Sequence, residues 1–146
     1  MISSSQPESK AVHHLARFVT RDAISLLLNL KPHEIYRIDC WQHVIHVVGK
    51  GVSTFVSYAD LPPILGVEPP SPKDFLSWRK RWKQNKNKAP QFWLEFYARK
   101  FQTVPTLQEM YYWGELVSTI KFALSETALQ WLRSVYIREK HAMENF

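Results

Sequence analysis

The stretch APQFWLEFYARKF, Ala89 to Phe101, constrains this chain more than any other. At about 100° per residue, Phe92, Trp93, Leu94, Phe96, Tyr97 and Phe101 would cover an arc of roughly 200° on a helix. A surface helix needs an apolar stripe about half that wide. A helix here must pack on two sides, or pack on one and offer aromatics to a partner on the other.

The chain around it has the size and composition to bury such a helix. It has 146 residues, 45% of them hydrophobic and 14% aromatic. That suits one domain with a real core and excludes a disordered protein. No apolar run approaches the ~18 residues of a membrane span, so no membrane partner is expected. The polar start, MISSSQPESK, lacks the apolar core of a secretory signal, and a cytoplasmic protein is expected. A single cysteine, Cys40, excludes an internal disulfide framework and a cysteine-only zinc cluster.

The net charge of +6 is unevenly placed. Between Lys73 and Lys100 nine Lys/Arg stand against two acids, Asp74 and Glu95. The remainder of the chain is close to neutral. A concentrated patch says more about partners than a high isoelectric point does.

Residues 1–10 read as a disordered tail and 11–146 as one globular domain. Its α+β half is 11–60, its proline-rich linker 61–72 and its helical half 73–142. Apolar residues from Ala11 to Leu30 recur at helical spacing, with a break and cap near Thr20. From Glu34 to Tyr58 the residues are those of strands. EIYRIDC and HVIHVV read as two strands or one continuous one; VSTFVSY returns after a tight turn at Gly49-Lys50-Gly51. Ser71 starts a helix lined by Phe75, Trp78 and Trp82, and 85–88 reads as a loop before the aromatic helix. Thr106 and Ser125 cap two more helices, and the final REKHAMENF should fray. The expected fold is α+β: N-terminal helices on a small antiparallel meander, then a bundle of about four helices with 90–101 central.

No catalytic, cofactor or metal signature emerges. His43 and His46, three apart on an expected strand, would face opposite ways. His13 and His14 diverge on a helix. Cys40 reads as a buried, inert thiol. The glycines form no phosphate-binding loop. The chain is therefore expected to be non-enzymatic, without cofactor or metal.

The basic segment and the aromatic surplus point to binding instead. Arg79, Arg81, Lys83 and Lys88 are candidates for electrostatic docking. Trp82, Trp93, Tyr97 and Tyr112 are candidate anchors, because aromatics and arginine dominate protein interfaces. A groove lined by them would suit an acidic or extended peptide. The alternative is a nucleic-acid-binding regulator using the same cations on phosphates. The spacing argues against it: the tryptophans gather with Phe75, away from most of the cations, whereas stacking needs both on one surface.

The segment LPPILGVEPPSP followed by aromatic helices, over residues 61–101, resembles the small cyanobacterial proteins that assist assembly of larger complexes, photosynthetic and carboxysomal ones among them. The resemblance implies a chaperone-like assembly role and supplies no functional residue. The sequence thus leads to an adaptor or assembly factor that holds a protein partner.

Overall fold

Thr20 starts the first α-helix. Its hydroxyl accepts the Ala23 N–H at 3.1 Å, the side-chain cap that an N-terminus wants. In the computed structural model, which describes residues 13–84, 88–121 and 124–145, this helix (α1) runs Arg21–Leu28. Asn29 closes it in the left-handed region at φ 59°. The break expected near Thr20 is present, and of the helical piece expected before it residues 11 and 12 lie outside the described residues. From His13 the chain makes a turn and a 3-10 segment at Ala16–Phe18. Here His13 Nδ1 accepts the Leu15 N–H at 3.0 Å, a local side-chain bond that competes with helix. The tail expected over 1–10 lies outside the described residues.

Three strands follow: β1 (Ile35–Cys40), β2 (Ile45–Gly49) and β3 (Val52–Val56). They form an antiparallel meander in the order β1-β2-β3. EIYRIDC and HVIHVV are two strands, because the Trp41 N–H meets the Val44 carbonyl at 3.0 Å and closes a hairpin. His43 therefore sits in a turn. Gly51 takes φ 71° in the second turn, where glycine is strain-free. Gly49 answers a different need: a Cβ there would stand 2.7 Å from the Glu34 carbonyl, the group that accepts the Lys50 N–H at 2.8 Å.

The sheet buries Ile35, Ile45, Val47 and Val56 against the helices. Its other face is wet and aromatic. The Trp41, His46 and Phe55 rings cluster there with centroids 5.1–5.5 Å apart. Cys40 was expected buried but is exposed. It ends an outer strand whose one strand neighbour is β2.

The helical half comprises α2 (Pro72–Gln84), α3 (Lys88–Thr103), α4 (Leu107–Thr119) and α5 (Glu126–Glu144). Thr106 and Ser125 cap α4 and α5, each hydroxyl accepting a backbone N–H at 3.1 Å. The broad apolar arc of α3 is satisfied by packing on α1, α4 and α5. Phe92, Trp93, Phe96, Tyr97 and Phe101 are all buried. Helix α5 runs on to Glu144, within REKHAMENF, and Met143 packs against the core. The fold is α+β, with the aromatic helix at the centre of the bundle. Among the described residues no helix is long and apolar enough to cross a membrane.

Candidate docking surface

Helix α2 carries most of the basic segment, so how it is seated decides which cations are available. Its N-terminus is a reciprocal cap: the Asp74 N–H donates to Ser71 Oγ at 3.3 Å, and the Ser71 N–H donates to Asp74 Oδ2 at 2.8 Å. Asp74 is fully buried. A buried carboxylate needs neutralising partners. Arg17 supplies the charge through Nη2 to Oδ2, and His14 Nδ1 meets Oδ1 at 2.6 Å. Arg17 also donates to the Glu68 and Pro69 carbonyls, both at 2.9 Å. One guanidinium thus ties the N-terminal segment, the linker and α2 together. Burial alone would push the Asp74 carboxyl up. The hydrogen bonds from Arg17, the Ser71 N–H and His14, together with the Arg17 charge, outweigh it and hold the carboxyl below the usual range.

His14 Nε2 lies 3.1 Å from Ser77 Oγ, so serine, histidine and aspartate stand in the order of a hydrolase triad. Sequence spacing could not reveal this chain, since His14 and Ser77 are 63 residues apart. Its surroundings are those of an anchor. Ser77 sits in the body of α2, where backbone N–H groups are spent on helical bonds rather than aimed at an oxyanion. The far oxygen of Asp74 is held by Arg17.

The second fastening is Arg81 on Asp60, with Nε to Oδ1 at 2.8 Å and Nη2 to Oδ2 at 3.1 Å. The hydrogen bonds to Asp60, and then its charge, raise the guanidinium's pKa above its ordinary value against the opposing effect of burial. Trp93 and Tyr97 stitch the same linker from α3. Trp93 Nε1–H donates to the Asp60 carbonyl at 3.0 Å, and the Tyr97 hydroxyl donates to the Pro63 carbonyl at 2.7 Å.

These contacts re-sort the residues singled out from the sequence. Trp93 and Tyr97 are fully buried and cannot touch a partner. The wide arc of α3 is consumed by neighbours on both sides, and their polar tips hold the linker. Arg81 is engaged with Asp60 on the inner side of α2. Trp82 is half-buried, edge-on to Trp93 at 4.6 Å. Tyr112 stands exposed on α4, a different helix, where its hydroxyl accepts from Gln108 at 2.7 Å. Arg79 and Lys83 are exposed on α2. The Lys88 side chain lies outside the described residues.

What remains is one coherent face. Lys73, Leu76, Arg79, Lys80 and Lys83 fall within an arc of about 120° on α2 and are all exposed. No acid of α2 shares it, since Asp74 turns inward. Among the described residues Lys73, Lys80 and Lys83 make no ion pair. Leu76 is 63% exposed amid them. The exposed leucine and the two extra lysines, Lys73 and Lys80, were legible in the helical spacing but were overshadowed by the tryptophans. Comparison with family models, curated proteins and solved structures found no match to this chain.

Proposed function

We propose that this chain is a non-enzymatic adaptor or assembly factor, chaperone-like and cytoplasmic, that docks an acidic segment of a protein partner on the outer face of α2. The observation that carries this reading is the exposed Leu76 set among the exposed Lys73, Lys80 and Lys83, with no acid of α2 on the same arc. The cations steer and orient a carboxylate-bearing segment. Leu76 supplies the apolar contact that a purely electrostatic encounter lacks. Nucleic acid is the second reading. It fits less well, because the residue standing among the cations is aliphatic and offers no ring for a base to stack on.

The test is capture from native-cell lysate, with and without nuclease, of wild type beside the Lys73→Glu/Lys80→Glu/Lys83→Glu variant and beside Leu76→Asp. One defined protein should be held by wild type, survive nuclease and be lost by both variants. Once purified, it should bind wild type directly and the triple variant at least about tenfold more weakly, a coupling of about 1.4 kcal/mol. Nucleic acid in the wild-type eluate, with all protein lost on nuclease, would overturn the adaptor reading. So would capture unaffected by the substitutions.

A further inference from the structure

The two outer strands of the sheet are finished differently. On β1 the edge is blunted. Arg37 pairs with Asp39 at 2.8 Å, Tyr36 sits in a register break, and Arg21 Nη1 caps the Ile35 carbonyl at 2.5 Å. Charges, bulges and covering side chains are how proteins stop a strand from recruiting another. On β3, Val52-Ser53-Thr54-Phe55-Val56, the strand carries no charge and pairs with β2 without a bulge, and among the described residues no hydrogen bond caps its outer side.

The backbone of β3 is open as well. The Trp41–Val44 bond fixes the alternation of the ladder, so Ile45, Val47 and Gly49 bond toward β3 through their partners Val56, Thr54 and Val52. Ser53 and Phe55 then point their N–H and C=O groups away from the sheet. Among the described residues no backbone hydrogen bond from either reaches another element. Beside this edge lies the aromatic cluster, with Phe55 58% and Trp41 49% exposed.

The sequence of β3 is matched to itself. Pair two copies antiparallel through the outward groups, Ser53 to Phe55 and Phe55 to Ser53, and the two-fold axis passes at Thr54. On the inner face Val52 then meets Val56, Thr54 meets Thr54, and Val56 meets Val52. These are β-branched cross-strand pairs, the kind that stabilise a ladder. On the outer face the two Phe55 rings fall on a diagonal, within reach of each other. No charge in β3 opposes a like charge. Such an arrangement is isologous and closes, so it gives a dimer and not a fibre.

We propose that the β3 edge is a homodimer interface, at which a second copy of this chain adds antiparallel about Thr54 to make a continuous six-stranded sheet. The surface is separate from the basic face of α2, and either assignment stands without the other.

The geometry makes a position-specific prediction. In this register Thr54 and its copy form a non-hydrogen-bonded pair, whose Cβ atoms lie close enough for a disulfide. With exposed Cys40 replaced by Ser, Thr54→Cys should oxidise to a covalent dimer, whereas Ser53→Cys should dimerise without the covalent link. In parallel, sedimentation equilibrium on the unmodified chain should show a dimer. Phe55→Pro removes an outward N–H that β2 does not use and should shift the chain to monomer with an unchanged far-UV spectrum. A Phe55→Pro variant that fails to fold leaves the cysteine pair as the deciding comparison. A wild type monomeric to about 100 μM, a dimer that survives Phe55→Pro with the fold intact, or cross-linking through Ser53→Cys instead of Thr54→Cys would each overturn the proposal.

Discussion

Arg81 grips Asp60 with two parallel hydrogen bonds, at 2.8 and 3.1 Å, and joins the middle of α2 to the turn that leaves the sheet. The pair is partly buried, with side-chain exposures of 31% and 16%. A forked guanidinium–carboxylate contact is among the stronger ion pairs, and removing the cation leaves a half-desolvated carboxylate. Arg81→Leu should therefore lower stability by about 1–3 kcal/mol, read as a lower urea midpoint with an unchanged slope. A docking residue would behave otherwise: stability would hold and only partner binding would fall.

Trp93 and Trp82 offer a matched comparison. Both indoles meet edge-on at 4.6 Å, but Trp93 Nε1–H donates to the Asp60 carbonyl at 3.0 Å while the buried Trp82 Nε1–H has no partner among the described residues. Changing either to Phe removes a similar volume. The Trp93 change also strands a carbonyl, whereas the Trp82 change removes an unpaired donor. Trp93→Phe should cost about 1–2 kcal/mol more than Trp82→Phe in parallel denaturant titrations. Equal costs would show that the Trp93 bond contributes nothing net.

The contrast between those tryptophans also marks how far the sequence could be read. Period and capping residues are local, so the strands, the hairpin glycines, the caps at Thr20, Ser71, Thr106 and Ser125 and the central place of α3 were all legible. Which side of a two-sided helix stays open is not local. Trp93 and Tyr97 looked like anchors because nothing in 89–101 says that the linker carbonyls of Asp60 and Pro63 wait for their polar tips. The same holds for Arg81, whose acid lies 21 residues away, and for the His14–Asp74 contact across 60. Cys40 was misplaced because strand alternation assigns a face without saying whether anything covers the strand's end.

Gly114 stands inside α4, where alanine would ordinarily favour the helix by about 1 kcal/mol. Here a Cβ would lie 3.0 Å from Tyr136 Cε2 and 3.3 Å from its Cζ. Tyr136 is itself packed edge-on against Phe101 at 5.1 Å, so it cannot withdraw freely. Gly114→Ala should bring no gain in the native background and about 0.5–1 kcal/mol of stabilisation in a Tyr136→Ala background. A gain of the same size in both would show that the tyrosine yields without cost.

The N-terminal cluster should make stability fall in two steps as pH is lowered. His13 is stacked on Tyr58 at 4.2 Å and on His14 at 4.6 Å. Burial first, then His14, His43 and Lys73, lower its pKa below the ordinary value. A group with a depressed folded pKa contributes stability above its unfolded pKa and loses it as pH falls through the folded one. The first step therefore begins below about pH 6.5, the unfolded histidine value. Asp74 follows the same rule, its carboxyl being held below the usual range. Its step begins below about pH 4, where the unfolded carboxylate takes up a proton and the folded one does not. Denaturant midpoints from pH 8 to 3 should show both steps. His13→Phe, which keeps a ring against Tyr58, should remove the first and leave the second. Asp74→Asn should lower stability at neutral pH, since Arg17 loses its counter-charge, and flatten the profile below pH 4. A first step that persisted in His13→Phe would place its titration elsewhere in the molecule.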